Sequence, residues 1–337
     1  MRVTSKAPCR VDLAGATLDI WPLYLFHEHS VTVNFAVDRY TSCEATTRDD
    51  RAVVLRSRDQ DTEERFESFA HLKAARCYQL PLLAYLVRFF APELVLQDCG
   101  LTLESNSEAP AGAGISGSSS LMITVACALN KLTGGRHKIE KLREIAQNIE
   151  AQVIRVPTGA QDYFPAMYGG VSAIDLTVAG VTRSPLPVQP AELNQRFVLA
   201  YTGAPRNSGI NNWEVMKAYI DGNKTVHGNF DHIASVANRM RNALLQNDWV
   251  AAGCLMREDW EHRRKNIPTI TTPLIDELID ETRRAGSTGA KVCGAGGGGC
   301  VVFLVEPRTQ EKVARIIEEL GAQVLNVKVA SKGVQLA

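Results

Sequence analysis

The sequence has no excess of charge of either sign and no long apolar run. Its 37 lysines and arginines balance 37 aspartates and glutamates, so composition gives no reason to expect nucleic acid or an anionic membrane as a partner. No apolar run approaches the roughly 18 residues of a membrane-spanning helix. Arg10, Asp12 and Asp19 interrupt the region where a signal peptide would have an unbroken apolar stretch. We therefore expect a cytoplasmic protein that binds neither nucleic acid nor a membrane.

The eight cysteines include no CxxC pair. Most of them stand inside apolar runs, which is typical of small buried hydrophobic residues in a reducing compartment. Their spacing therefore predicts neither a disulfide framework nor a zinc site.

What the chain does have is length and an ordinary globular composition. At 337 residues, 45% hydrophobic and 22% charged, it is long for one compact core and comfortable for two. Three prolines in VTRSPLPVQP mark the best candidate for a boundary. We predict an N-terminal domain of residues 1–185 and a C-terminal domain of residues 186–337.

Hydrophobic periodicity predicts strands and helices that do not alternate strictly. The predicted strands are residues 2–13, 30–45, 53–57, 101–104, 197–201, 301–305 and 323–329, with one more immediately before the glycines at 294–299. The predicted helices are residues 80–90, 121–132, 139–154, 211–219, 232–246, 274–285 and 310–320. This order favours an α+β fold over a doubly wound sheet.

The most informative segment is EAPAGAGISGSSSLMITVACAL, residues 108–129. Gly112, Gly114 and Gly117 allow a tight turn and a close approach of the backbone to a ligand. The helix that follows begins with unpaired N–H groups at a positive dipole end. Its serines can cap the helix, donate to phosphate or ligate magnesium. The segment therefore predicts a phosphate site, but not a Walker loop, because Ser118 stands where that loop has lysine, and not a GxSxG nucleophile elbow.

A second glycine cluster, KVCGAGGGGCVVFL, spans residues 291–304. Gly294, Gly296 and Gly299 satisfy GxGxxG spacing, but the β-branched and aromatic residues that follow predict a strand. A dinucleotide fingerprint needs a helix there, so the Rossmann interpretation fails. The cluster fits a loop lying close against either a ligand or a neighbouring backbone.

Together with the N-terminal KAPCRVDLAGATLDI, these clusters resemble the three motifs of the GHMP kinase superfamily. The matched positions are Pro8, Arg10, Gly15 and Asp19 in the first motif, Pro110, Gly112, Gly114, Ile115 and Ser118 in the second, and residues 294–299 in the third. The second motif departs from the family at Ser116-Gly117, where Gly-Ser is usual. Longer stretches such as VTVNFAVDRY and YTGAPRNS look like the sugar-kinase subgroup that contains D-glycero-D-manno-heptose 7-phosphate kinase.

The resemblance implies a two-domain α+β GHMP kinase fold with ATP and substrate in the cleft between the domains. The N-terminal domain would be like domain 2 of ribosomal protein S5, and the C-terminal domain would be ferredoxin-like. The implied activity is transfer of the γ-phosphate of ATP, with Mg²⁺, to a hydroxyl of a small-molecule sugar or sugar phosphate. The protein would be a monomer or a homodimer. Two alternatives stay open: an isoprenoid-pathway GHMP kinase, and a non-catalytic sensor of sugar or nucleotide.

The resemblance also implies roles for individual residues. Asp162 would be the general base or orienting group for the acceptor hydroxyl, and Arg10 would hold Asp162 ionised and stabilise the transferring phosphoryl group. Glu150 and Ser118 would bind Mg²⁺, which prefers few carboxylates plus phosphate oxygens. The implied ATP contacts are Pro110, Gly112, Ala113, Gly114, Ile115, Ser116, Gly117, Ser118 and Ser119. The implied substrate contacts are Asp19, Arg206, Gly296 and Gly297.

Purely structural interpretations compete with these roles. Asp162 fits a loop aspartate in an Asx turn, and Glu150 fits a helix-surface carboxylate. We interpret Arg263-Arg264-Lys265 as a solvated helix face. The pair of histidines in His27-Glu28-His29 has no third metal ligand nearby, so we interpret it as surface.

Overall fold

A computed structural model describes residues 1–95, 99–204 and 208–337 of the chain. Its strands are β1 (Arg2–Ala14), β2 (Val31–Arg48), β3 (Val53–Ser57), β4 (Thr62–Phe66), β5 (Gly100–Ser107), β6 (Val171–Thr177), β7 (Gly180–Pro185), β8 (Phe197–Tyr201), β9 (Ser287–Val292), β10 (Cys300–Val305), β11 (Gln323–Leu325) and β12 (Gln335–Leu336). None of the described helices is long and apolar enough to cross a membrane.

The helices complete an α+β architecture. They are α1 (Phe69–Ala74), α2 (Pro81–Val95), α3 (Gly117–Leu132), α4 (Ile139–Ile154), α5 (Tyr163–Tyr168), α6 (Pro190–Leu193), α7 (Ser208–Ile220), α8 (Lys224–Leu245), α9 (Trp249–Asn266), α10 (Pro273–Ala285) and α11 (Gln310–Glu319). The predicted bounds of β3 and α4 are confirmed to the residue. Our prediction omits the elements β4, β6, β7, β12, α1, α5 and α6. It also does not delimit α9, whose C-terminal half is mostly charged.

The first sheet is organised around the long strand β2. One edge of β2 pairs antiparallel with β1, and its other edge carries β6 along its first half and β5 along its second half. Beyond β5 lie β3, which is parallel to β5, and then β4. Helix α3 packs on β1 and β2, and its buried apolar residues join the large core beneath this sheet. The N-terminal end of α3 is thereby fixed beside β1.

The second sheet has the order β11-β8-β10-β9, and all its pairs are antiparallel. Counted along the chain, the order is fourth, first, third, second strand, with helices between the first two strands and between the last two. This is the ferredoxin-like arrangement that the resemblance implied.

The two sheets share a hydrophobic core, in which the rings of Phe35 and Phe197 pack edge to face at 5.0 Å. The chain end returns to the first sheet, because β12 pairs with β1 and the N–H of Ala330 donates to the carbonyl of Ala36 at 2.9 Å. The last strand, β12, therefore belongs to the sheet of the predicted N-terminal domain although it follows residue 185 in sequence. The division of the chain at residue 185 stays a prediction.

Five cysteines are buried, as predicted for small hydrophobic residues, whereas Cys77 and Cys254 are exposed. No disulfide joins any of the eight cysteines, all of which lie within the described ranges. Within the described ranges, no group of three His, Cys, Asp or Glu side chains is arranged to hold a metal by itself.

Candidate active site

A cleft of about 820 Å³ receives residues from both halves of the chain. Its lining includes Arg10 on β1, Asp162 before α5 and Gly294 after β9. Pro110 and each residue from 112 to 119 also line it. The cleft therefore brings together the predicted nucleotide-binding segment and both predicted catalytic residues.

The N-terminal end of α3 opens into this cleft without a side-chain cap. Ser116, which precedes the helix, has the left-handed values φ 58° and ψ 36°, and its hydroxyl makes no capping bond. Ser119 instead donates to Glu150 at 3.0 Å, and Ser120 donates to the carbonyl of Ala7 at 3.1 Å. The prediction that these serines cap the helix is therefore wrong for the side chains of Ser116, Ser119 and Ser120. The first-turn N–H groups and the positive end of the helix dipole remain for an anion.

The second glycine cluster lies against the first, which decides between the two interpretations left open above. A Cβ on Gly299 would stand 2.7 Å from the carbonyl oxygen of Ala113, and the N–H of Cys300 donates to that oxygen at 2.7 Å. A Cβ on Gly296 would stand 2.1 Å from Ile270. The glycines are needed because neighbouring residues approach the loop closely.

Only the beginning of this second loop reaches the cleft. Gly294 and Ala295 are part of the lining. Gly296 packs against Ile270, and Gly297 donates its N–H to the carbonyl of the same residue at 2.7 Å. The structure therefore does not bring Gly296 and Gly297, two of the predicted substrate contacts, to the cleft lining.

Arg10 and Asp162 form the central ion pair of the cleft. Nε and Nη2 of Arg10 donate to Oδ1 of Asp162 at 2.9 and 2.6 Å, and Nη1 donates to the carbonyl of Gly114 at 2.6 Å. The Arg10 side chain is 2% exposed, whereas that of Asp162 is 24% exposed. Asp162 precedes α5 but its carboxylate does not cap the helix, which argues against a purely local turn role. Although burial lowers the pKa of Arg10, the negative charges of Asp162 and Asp12 raise it above its ordinary value.

Asp19 is buried next to Asp162. Its Oδ2 accepts the backbone N–H of Gln161 at 2.9 Å, and its Oδ1 accepts the side-chain amide of that residue at 3.4 Å. Gly159 permits this approach, because a Cβ there would lie 2.0 Å from Oδ2 of Asp19. Burial and the charge of Asp162 raise the pKa of Asp19 to about 6. The hydrogen bond from the backbone N–H of Gln161 lowers this pKa and offsets part of the rise.

Glu150 is buried near the end of α4. Its Oε2 accepts hydrogen bonds from Ser119 and from Tyr163. Burial raises the pKa of Glu150, and the hydroxyls of Ser118, Tyr163 and Ser119 offset only part of that rise. Glu150 and Ser118 both line the cleft, so Glu150 is not a solvated helix-surface carboxylate. One carboxylate and one hydroxyl fit a Mg²⁺ ion that takes its other ligands from phosphate and water.

Two predictions made from local charge are wrong. Arg263 is not on a solvated helix face: it is 2% exposed and donates to the carbonyls of Val292 and Gly294. His27 is not on the surface: its ring is buried, and Nδ1 lies 2.7 Å from a carboxylate oxygen of Asp231. In both cases the partner comes from a distant part of the sequence. Arg206, a predicted substrate contact, lies outside the described residues.

Sequence reasoning missed four polar residues that the structure places in or behind the site: Asp12, Gln161, Tyr163 and Lys291. Gln161 and Tyr163 flank Asp162 in the sequence. That position next to a candidate catalytic residue is the signal that could have identified them as residues that support the site. Asp12 and Lys291 stand inside apolar β-strand patterns, where a charged residue requires a buried partner.

Comparison with protein families adds an independent finding. The family model for the N-terminal domain of GHMP kinases matches residues 81–170, and that for the C-terminal domain matches residues 240–323. Together they cover about half of the sequence. The chain belongs to the GHMP kinase family. Its mixed helices and strands are consistent with the two-domain GHMP kinase fold.

Relatives of this GHMP kinase match over nearly the whole chain. D-glycero-alpha-D-manno-heptose 7-phosphate kinase of Campylobacter jejuni is 23% identical over 340 residues, which cover 99% of this chain and 98% of that protein. Mevalonate kinase of Thermococcus sibiricus is 23% identical over 363 residues, with 100% and 98% covered. The structure of a D-glycero-D-manno-heptose 1-phosphate kinase from Bacteroides thetaiotaomicron superposes with a TM-score of 0.79 at 21% identity, covering 99% and 98%. This structural likeness shows a shared fold.

Proposed function

We propose that this protein is an ATP- and Mg²⁺-dependent kinase that phosphorylates a hydroxyl of a small-molecule sugar or sugar phosphate. The relatives named for heptose phosphate kinases support a sugar as the acceptor. The proposal includes a cytoplasmic location, where ATP is available and free thiols stay reduced. It also includes action as a monomer or homodimer without nucleic acid or membrane.

The observation that carries this proposal is the ion pair of Arg10 and Asp162 in the same cleft as the uncapped end of α3. Phosphoryl transfer requires in-line placement of the acceptor oxygen and neutralisation of charge on the phosphates. Asp162 would accept the proton of the acceptor hydroxyl or orient that hydroxyl. Arg10 would hold the carboxylate of Asp162 in place through its two N–H donors. Its own charge persists at any working pH, so it would also stabilise the phosphoryl group in transfer.

ATP would lie along the glycine loop. The free N–H groups at the start of α3 would hold phosphate oxygens, and the apolar part of the cleft at residues 80–83 offers a surface for the base. Glu150 and Ser118 would hold Mg²⁺, which supplies further neutralisation of phosphate charge. Tyr163 and Ser119 fix the carboxylate of Glu150 by hydrogen bonds.

An isoprenoid-pathway kinase is the second candidate, because mevalonate kinases match this chain at similar identity. Its acceptor would carry a carboxylate into a cleft that already contains Asp19, Asp162 and Glu150. In the described part of the chain the cation lining the cleft is Arg10, which is already bonded to Asp162. Like charges at close range disfavour such an acceptor. The same argument applies to a sugar phosphate, so on charge alone the cleft favours a neutral sugar.

The test is release of ADP by the purified protein with a panel of acceptors. The panel contains heptose 7-phosphate, neutral hexoses, fucose, uronic acids and mevalonate, each with ATP and Mg²⁺. Turnover should occur with a sugar or sugar phosphate and not with mevalonate. Asp162→Asn should lower that turnover on the order of 10²- to 10⁴-fold, which is the range of general acid–base catalysis. ATP binding, measured by calorimetry, should persist.

Three outcomes would contradict the proposal. Turnover with mevalonate alone would favour the isoprenoid kinase. Sugar binding by calorimetry without any ADP release would indicate a sensor. Near-normal turnover of Asp162→Asn would show that the acceptor site is assigned to the wrong carboxylate.

A further inference from the structure

Alternating buried charges connect the second sheet to the cleft. Lys291 on β9 has no solvent exposure, and its Nζ lies 2.8 Å from Oδ2 of Asp12 and 2.8 Å from Oδ2 of Asp259. Oδ1 of Asp12 lies 3.7 Å from Nη1 of Arg10, and Arg10 binds Asp162. The order of charges is therefore Lys291, Asp12, Arg10 and Asp162, and the last of these is partly exposed in the cleft.

Asp12 and Asp259 have closely matched surroundings. Both are fully buried and both pair with Lys291 at the same distance. Each also accepts one backbone N–H through Oδ1, from Gly294 at 3.0 Å for Asp12 and from Gly15 at 2.9 Å for Asp259. They differ in their other cations: Asp12 also lies 3.7 Å from Nη1 of Arg10 and 4.0 Å from Nη1 of Arg263.

Such a cluster is not required for a stable core, because apolar residues of similar volume often stabilise as well as a buried ion pair. Asp12 nevertheless stays ionised. Burial opposes this, but the positive charges of Lys291, Arg10 and Arg263 hold the pKa of Asp12 well below its usual range. A fixed negative charge is thereby kept next to the catalytic guanidinium. The same carboxylate fixes Gly294, which lines the cleft.

We propose that Asp12, held by Lys291, is a positioning residue for phosphoryl transfer. It fixes the guanidinium of Arg10 and the start of the second glycine loop relative to Asp162. This inference rests on the proposed kinase function and goes beyond it, because neither Asp12 nor Lys291 touches the reacting groups.

Asp12→Asn and Asp259→Asn test it as a matched pair. Each removes one carboxylate charge from Lys291 and keeps an oxygen for the backbone N–H, so both should lower the unfolding temperature. Asp12→Asn should lower it further, because it also removes a negative charge from beside Arg10 and Arg263. Asp12→Asn should lower kcat on the order of tenfold to a hundredfold, the effect of an ångström-scale misplacement, with little change in the KM for ATP. Asp259→Asn should keep kcat within about threefold of wild type.

A double-mutant cycle identifies the route of the effect. If Asp12 acts through Arg10, Asp12→Asn should cause little further loss of kcat in an Arg10→Lys background, because neighbouring residues of one network are not additive. Independent, multiplying losses would overturn the proposal. Equal losses of kcat in Asp12→Asn and Asp259→Asn would also overturn it, since they would indicate a structural role alone.

Two further measurements keep the test decisive. If Asp12→Asn does not fold, the pair D12N/K291M and D259N/K291M removes the lysine charge as well. D12N/K291M should still have the lower kcat, because D259N/K291M keeps Asp12 beside Arg10 but without its lysine. Crystal structures of the folded variants should show Arg10 displaced from Oδ1 of Asp162 only where Asp12 is changed. If Arg10 does not move in the Asp12 variants, the positioning proposal is overturned, whether or not the wild-type protein releases ADP. If the wild-type protein releases no ADP, it is the proposed kinase function that is contradicted.

Discussion

Arg10 directs two N–H groups to a single oxygen of Asp162: Nε and Nη2 both donate to Oδ1, at 2.9 and 2.6 Å. A third N–H of the same guanidinium holds the carbonyl of Gly114 in the glycine loop. One side chain thus ties the carboxylate of Asp162 to the segment that precedes α3. Neither of the two bonds from Arg10 uses Oδ2, the oxygen that would face an acceptor hydroxyl in the proposed reaction.

Arg10→Lys should lower kcat on the order of 10²-fold, the usual cost of removing one donor from a preorganised charge site. Lysine keeps the charge but cannot hold Asp162 and Gly114 together with a planar fork. Steady-state release of ADP measures the effect. Arg2→Lys, at an exposed ion pair with Glu44, is the control and should be silent. Equal turnover of Arg10→Lys and wild type would show that charge alone suffices.

Asp19→Asn should change the pH dependence of stability. The pKa of Asp19 is raised from 3.8 to about 6 in the fold, so the folded state binds its proton more tightly than the unfolded chain. The stabilisation from this proton is complete below pH 3.8 and is lost as pH rises through about 6. Relative to wild type, the variant should therefore gain stability between pH 4 and pH 7.5, on the order of 3 kcal/mol for two pKa units.

Chemical denaturation at the two pH values measures this gain. Asp59→Asn, at another part of the cleft, is the comparison and should show no such gain. A constant difference in unfolding free energy between Asp19→Asn and wild type would contradict the raised pKa.

Glu150→Gln should raise the Mg²⁺ concentration needed for half-maximal turnover on the order of tenfold or more, because an amide is a weaker ligand than a carboxylate for a hard cation. Titration of ADP release with Mg²⁺ at fixed ATP measures it. Glu144→Gln, exposed on the same helix α4, is the matched control. If both variants need the same Mg²⁺ concentration as wild type, Glu150 is not a ligand.

Ser116→Gly should stabilise the protein by about 0.5–1 kcal/mol. Ser116 has a φ of 58°, and a side chain in this left-handed region costs about 1–2 kcal/mol. Glycine removes that strain, but it also increases the conformational entropy of the unfolded chain, which offsets part of the gain. Its buried hydroxyl has no hydrogen-bond partner in the described structure, so removing it leaves no group unpaired. Urea denaturation of the variant measures the change, and a loss of stability would show that the serine makes a contact that outweighs the strain.

Local signals predicted much of the site. Glycines and serines in the first cluster predicted an anion site at a helix start, and that helix start lies in the cleft with Arg10 and Asp162. The left-handed φ of Ser116 explains why glycine is usual at this position of the family motif, because glycine adopts that conformation without strain. Nothing in the structure explains why serine stands there in this chain.

Long-range partners were not predictable in the same way. Arg263 looks like part of an exposed basic run until α9 packs against β9 and its guanidinium reaches two backbone carbonyls. Tyr163 looks like a core aromatic until its hydroxyl meets Glu150, 13 residues earlier. A hydrogen bond between residues on different elements leaves no period in the sequence.

The amino-acid sequence by itself determined which segments turn tightly, which helices and strands form, and which family the motifs resemble, because these depend on neighbours along the chain. The tertiary structure alone decided that Lys291 lies between Asp12 and Asp259. It also decided that Gly299 packs against the carbonyl of Ala113, and that Gly294, but not Gly296, lines the cleft. Those relations depend on how two sheets share one core, and packing between distant segments is fixed only when the whole chain has folded.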